Sequence, residues 1–191
     1  MIWWPIEVPT LHYGLLTLRP SRDSDIEPIY QACQDPLISR FTTVPRDYTM
    51  AHASDFVRKD RTSLAEKHEI RFVIEYGVGD DAIFVGVISL HSVDIANHCA
   101  AIGYWMVHGE RGKGIATKAA KVITDYGFTT LGLRRIEGLV DSDNVASCKL
   151  LISAGYTTEA LLRHKVTRES GLQIDMVLLA ALAKEWQPLD I

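Results

Sequence analysis

Cysteine is scarce in this chain. Three residues, Cys33, Cys99 and Cys148, with no CxxC pair among them, exclude a disulfide framework and a four-cysteine zinc site, and point to a reducing cytoplasmic setting. Long apolar runs are also missing. The longest, MVLLAALA at 176–183, is too short to span a bilayer. Basic charge is not in excess. Twenty Lys+Arg against 24 Asp+Glu give a net charge of −4, so there is no global basic field of the kind that draws a protein onto nucleic acid or an anionic membrane. Any anion site must be local. The opening MIWWPIEVPT has no basic stretch and carries Pro5, so it does not read as a signal peptide. What is present, 191 residues of which 47% are hydrophobic, suits one domain over 1–191 with a substantial core.

Hydrophobic periodicity supplies the elements. Residues 15–20 read as a strand and 23–35 as a helix capped by Asp23 or Ser24. A second amphipathic helix at 49–67 carries Ala53, Phe56, Val57 and Leu64 near one face. Strands follow at 71–76, 82–93 and 98–107, with GVGDD at 77–81 as a hairpin turn. Ile115, Ala119, Val122, Ile123 and Tyr126 then form a helical stripe that Gly132 can end, and 134–140 returns as a strand. Strand, helix and strand in that order imply a parallel pair with a right-handed crossover. The segment 144–155 reads as a helix with an Asn cap and a Gly stop, with Val145, Cys148 and Ile152 turned toward the core. Two last strands at 156–166 and 172–182 flank a TRESG turn. Together these predict an α/β (α+β) domain: a mixed, mostly antiparallel sheet of six to seven strands flanked by about four helices.

One stretch, MVHGERGKGIAT at 106–117, breaks an ordinary rule. A helix start is already electropositive and attracts Asp and Glu, yet Arg111 and Lys113 stand there. Gly112 and Gly114 let the backbone turn without a Cβ and let an anion approach the N–H groups, as phosphate-binding turns do. The P-loop pattern fails, because Lys113 is followed by Gly114 and Val107 occupies its first glycine position. The dinucleotide fingerprint would need a small residue where Thr117 stands, and its strand normally opens a parallel sheet.

Arg111-x-x-Gly114-x-Ala116, directly after a strand and opening a long helix, resembles the (Gln/Arg)-x-x-Gly-x-(Gly/Ala) signature of the GNAT superfamily of acyl-CoA-dependent N-acyltransferases. IGYWM, RGKGIATKA, LGLRRIEGLVDSDNVASCKLLISAGY and TTEALLRHKV, in that order, are similar to the branch of ribosomal-protein N-terminal acetyltransferases, over roughly 84–180. LLTLRPSRDSDIEPIY also resembles that branch's opening strand and helix. The resemblance implies a single GNAT-type domain in which Arg111, Gly112, Lys113, Gly114, Ile115, Ala116 and Thr117 hold the CoA pyrophosphate. The preceding strand, 104–108, would splay from its neighbour, with Met106 and Val107 on the pantetheine arm and His108 also near the cofactor. Asn144 would contact the pantetheine. Ser147, three residues on and on the same helical face, would protonate the leaving thiolate. Read without the family, Asn144 and Ser147 are a capping pair.

The resemblance further implies direct transfer of an acetyl group from acetyl-CoA to a primary amine, with the α-amine of a protein or peptide as first choice. A small-molecule amine such as a polyamine, an amino acid or an antibiotic is the alternative, and a non-catalytic CoA-binding sensor is a third reading from another class. Glu75, His91, Asp94 and His98 are candidates for the base, each with an ordinary surface or hairpin role beside it. Cys148 invites an acyl-enzyme, but a thiol turned toward the core is inert. His91 and His98 lack a clear third ligand, so no metal is entered. Trp3 and Trp4 could form a lid or an interface, and an N-terminal segment packed on its own domain is the plainer account. Monomer and homodimer stay open.

Overall fold

A computed structural model describes residues 2–168 and 171–189. Its eight strands form one sheet in the order β1-β2-β3-β4-β5-β6-β8-β7. They are β1 (Leu11–Tyr13), β2 (Leu16–Arg19), β3 (Glu69–Tyr76), β4 (Ile83–Asp94), β5 (Cys99–Met106), β6 (Arg135–Asp141), β7 (Thr157–Thr167) and β8 (Gln173–Leu182). Every neighbouring pair is antiparallel except β5 with β6. Five helices cover it: α1 (Ile26–Ala32), α2 (Pro36–Phe41), α3 (Met50–Ala65), α4 (Ile115–Thr129) and α5 (Val145–Ser153). The predicted strands are all present. The eighth is the three-residue β1, too short to show alternation.

Period-2 alternation divides the sheet between two cores. Ile70, Phe72 and Ile74 of β3, Ile88 and Leu90 of β4 and Ile102 of β5 face α4 and α5 in the larger one. Val87 and Trp105 face the other way, against Ile29 of α1, Ile38 of α2 and Ala53 of α3. The stripe Ile115, Ala119, Val122, Ile123 and Tyr126 is buried along α4, as its spacing predicts, and Gly132 follows at φ 78°. At the N-terminus, Trp4 Nε1 donates to Leu64 O at 2.7 Å and Trp3 N to Leu131 O at 3.0 Å. This segment packs on the domain.

Three local expectations are corrected. Neither Asp23 nor Ser24 caps the first helix. They begin a short 3-10 turn, and Asp25 accepts the Arg22 N–H while pairing with buried Arg19. The expected helix at 23–35 stops at Ala32, and Asp35 with Pro36 starts the separate α2, because proline has no N–H to continue a helix but suits its first turn. On α5, Val145 and Ile152 are 55% and 53% exposed, whereas Leu151 is 1% exposed and Cys148 is half-buried against the core. A helix advances about 100° per residue, so a face centred on Leu151 keeps Cys148 at its edge and leaves Val145 and Ile152 outside. Of the expected turn at 167–171, Glu169 and Ser170 lie outside the described residues.

Candidate active site

The βαβ crossover sets the site. β5 and β6 pair only at Cys99 with Arg135, Ala100 with Ile136 and Ala101 with Glu137. Beyond Ala101, β5 stays on β4 as far as Met106 and β6 stays on β8 as far as Asp141. The two strands diverge, and the split opens into a cleft of ≈ 1290 Å³. Met106, Arg111, Gly112, Gly114, Ile115, Ala116, Thr117, Asn144 and Ser147 line it. Val107, His108 and Lys113 lie outside that lining.

The turn is built by glycine. Gly112 and Gly114 have φ of 75° and 77°, which a side chain rarely adopts. A Cβ at either would meet nothing within 4 Å, so what glycine provides here is backbone conformation and an open approach. Gly114 is the N-cap of α4 and has no side chain to accept the first N–H groups. Those donors point outward at the positive end of a 15-residue helix. This matches an anion.

The two cations of the turn are engaged elsewhere. Arg111 donates to Met106 O through Nε at 3.1 Å and Nη2 at 2.9 Å, and Nη2 also lies 2.7 Å from the Asp35 carboxylate. Burial opposes the charge on Asp35, but the Leu37 N–H and Arg111 together hold its pKa below the ordinary value. His108 is exposed and sits 3.5 Å from the same carboxylate. Lys113 donates to both Glu110 oxygens at 2.9 Å. Sequence reasoning missed Asp35, since no local signal links a helix cap to a distant turn. Arg111 thus ties α2 to the end of β5, and the backbone N–H groups are the turn's free donors.

At the split, the Asn144 side chain accepts the Ser147 N–H at 3.1 Å and caps α5. Ser147 Oγ is 2.6 Å from the Tyr104 hydroxyl. Burial pushes the Tyr104 pKa up to about 12, with the Ser147 bond acting the other way. The phenol keeps its proton at neutral pH. Tyr104 was missed as a functional group; its place in IGYWM was the only available signal. Cys148 carries a raised pKa from burial and from Asp141, so it remains a thiol.

The four base candidates separate. Glu75 is 2.7 Å from Arg19. Asp94 accepts from Asn97 in the β4–β5 hairpin, and His98 Nδ1 faces Gly132 O at 3.0 Å. None of these three lines the cleft. His91 does, beside Glu69, Arg71 and Gly103. Burial, ahead of its charged neighbours, lowers its pKa, so the imidazole is neutral at pH 7. A Cβ on Gly103 would stand 3.1 Å from His91 Nε2; glycine leaves that nitrogen open.

Known proteins share this construction. A sequence model of the acetyltransferase (GNAT) domain matches residues 16–157. The uncharacterised N-acetyltransferase p20 of Bacillus licheniformis is 32% identical over 177 residues, 93% of this chain and 98% of that protein. Spermidine N(1)-acetyltransferase of Escherichia coli K12 is 27% identical, covering 83% of this chain and 80% of its own length. The structure of Mycobacterium smegmatis RimJ with CoA-disulfide superposes with a TM-score of 0.85 at 26% identity, over 96% of this chain and 91% of that one. With a diverging β5–β6 pair, a glycine turn opening α4 and a family match across three-quarters of its length, the chain belongs to the GNAT family of acetyltransferases.

Proposed function

We propose that the protein transfers an acetyl group from acetyl-CoA to the α-amine of a protein or peptide by direct attack. The observation that carries this reading is the uncapped N-terminus of α4, joined by one cleft to the hydroxyl pair Ser147–Tyr104 at the strand split. The N–H groups at Gly112 to Thr117 suit the pyrophosphate, with Arg111 shaping the turn and Lys113 and His108 at its exposed rim. Met106 and Val107 border the path of the pantetheine, whose amides can pair with the β5 backbone that β6 leaves free. Asn144 holds the start of α5 in place for the same contact.

The amine attacks the thioester carbonyl, its proton leaves to the acceptor side, and the thiolate takes a proton as the C–S bond breaks. Ser147 is the donor to sulfur, its hydroxyl held by the protonated Tyr104, and it regains its proton from solvent, to which the ammonium proton is finally released. A thiol of pKa near 8.5 already leaves fairly well, so this donor accelerates the reaction without being indispensable. His91, neutral and on the cleft lining, is the group we assign to take the ammonium proton. An α-amine of pKa about 7.7 to 8.0 is roughly a tenth neutral at pH 7, whereas a lysine amine near 10.4 is neutral in about one molecule in 2,500. A single modest imidazole matches the former.

Kinetics decide it. A peptide with a free N-terminus is expected to be acetylated faster at pH 7 than the same peptide with a blocked N-terminus and an internal lysine, with kcat/KM levelling off near pH 8. Faster acetylation of the lysine peptide would overturn the α-amine assignment, and binding of acetyl-CoA without turnover of any amine would leave a sensor. A polyamine acceptor is the second reading, favoured by the similarity to a spermidine N(1)-acetyltransferase.

A further inference from the structure

The cleft holds more cationic than anionic side chains. Arg40 and Arg46 enter it from α2 and the segment that follows, Arg71 from β3, Lys149 from α5 and Arg168 from the end of β7. The carboxylates on the same lining are all engaged. Glu69 is 2.6 Å from Arg71, Glu110 is 2.9 Å from Lys113, and Asp141 pairs with Arg168. A polyamine carries two or more ammonium groups that need carboxylates free to receive them. Among the described residues the lining offers none.

The arginines also converge. Arg40, Arg46 and Arg168 line a side pocket of ≈ 340 Å³ together with Gln34 and Ser39. Ser39 and the three arginines also line the main cleft, so the two spaces adjoin. Arg40 lies over the Phe41 ring at 4.8 Å, and its carboxylate partner among the described residues is the exposed Asp143, at 3.4 Å, a contact that solvent screens heavily. Arg168 is held by Asp141, so the guanidiniums available to a ligand are those of Arg40 and Arg46, and Arg46 has no carboxylate partner among the described residues. Guanidinium forks recognise carboxylate and phosphate oxygens in pairs, and here they stand in a protein whose net charge is −4. The excess is local.

We infer that this arginine-lined side pocket receives an anionic side chain of the acceptor, so that the preferred substrate is a peptide whose free N-terminal amine is followed within a few residues by acidic groups. The inference rests on the α-amine reading given above. It makes polyamines poor acceptors of this protein.

The test uses the full chain, acetyl-CoA and a matched set of acceptors. The set contains a free N-terminal peptide with Asp and Glu at positions 2 to 4, the same peptide with Lys there, one with phosphoserine at position 2, the acidic peptide with a blocked N-terminus and an internal lysine, and spermidine. The acidic peptide should exceed the lysine-bearing one at least tenfold in kcat/KM, mostly through KM, and the advantage should shrink as salt rises. A phosphoserine peptide better than the acidic one assigns the pocket to phosphate, and a poorer one assigns it to carboxylate. Arg46→Glu, on an exposed side chain, should abolish or invert the preference. Equal rates for acidic and basic peptides, or a preference that survives both Arg46→Glu and Arg40→Glu, would overturn the subsite. If the blocked acidic peptide is the better acceptor and its use still depends on Arg46, the subsite stands and the α-amine reading falls. Turnover of spermidine alone removes both.

Discussion

Ser147 and Tyr104 are 43 residues apart in the chain and share a 2.6 Å hydrogen bond, which gives the serine a direction that a helix cap alone would not. Ser147→Ala is expected to lower kcat by roughly ten- to a thousandfold while CoA affinity stays within a few-fold, the pattern of an interaction used in the transition state. Tyr104→Phe should cost less, about tenfold, since it removes the support and leaves the donor. Full turnover in Ser147→Ala, with chemistry rate-limiting, would return Ser147 to the capping role. The spacing of Asn144 and Ser147 was legible in the sequence because both belong to one helix start. Tyr104 was not, because a contact between a strand and a helix leaves no local pattern. Among the base candidates only tertiary placement distinguishes His91 from the hairpin residues Asp94 and His98.

Gly114 concerns an element more than a side chain. The space around it is open, so Gly114→Val acts through its φ of 77°, which costs an L residue about 1–2 kcal/mol and more when β-branched. The start of α4 would rewind and its N–H groups would turn away. In wild type, acetyl-CoA at a hundredfold excess over Kd should stabilise the fold by about 2.7 kcal/mol, read as a rise in Tm. The variant should fold and show no such rise; an unchanged rise would remove the turn from the CoA site. Long periodic elements such as α4, β3 and β4 could be read from the sequence with small errors at the ends. The six-residue α2 could not, since its pattern is shorter than two full turns. The phase of α5 was misread because Val145, Cys148 and Ile152 form a plausible apolar line that the Leu151-centred packing does not use.

Across the whole molecule, the sheet runs in chain order from β1 to β5, then β6-β8-β7, and only three residue pairs join the two parts. Amide hydrogen exchange should report this. Backbone amides of residues 102–106 that are not bonded to β4 are expected to exchange faster than their bonded neighbours and to slow when acetyl-CoA is added. No change on addition would place the pantetheine elsewhere. The mixed sheet was legible from the βαβ order, whereas the insertion of β8 between β6 and β7 was not, because either strand could have paired with β6 on pattern alone. The outer strand β7 carries Arg163 and Lys165, charges that discourage edge-to-edge pairing with another sheet.

The uneven charge of the cleft bears finally on arrival times. Arg40, Arg46, Lys149 and Arg168 line one cleft in a protein whose net charge is −4. Cationic side chains gathered in a cleft focus the field there, and such focusing raises the encounter rate of an anion by tenfold or more at low ionic strength. The acetyl-CoA donor and the acidic acceptor proposed above would both be drawn by that field, so both association rates should fall as salt rises.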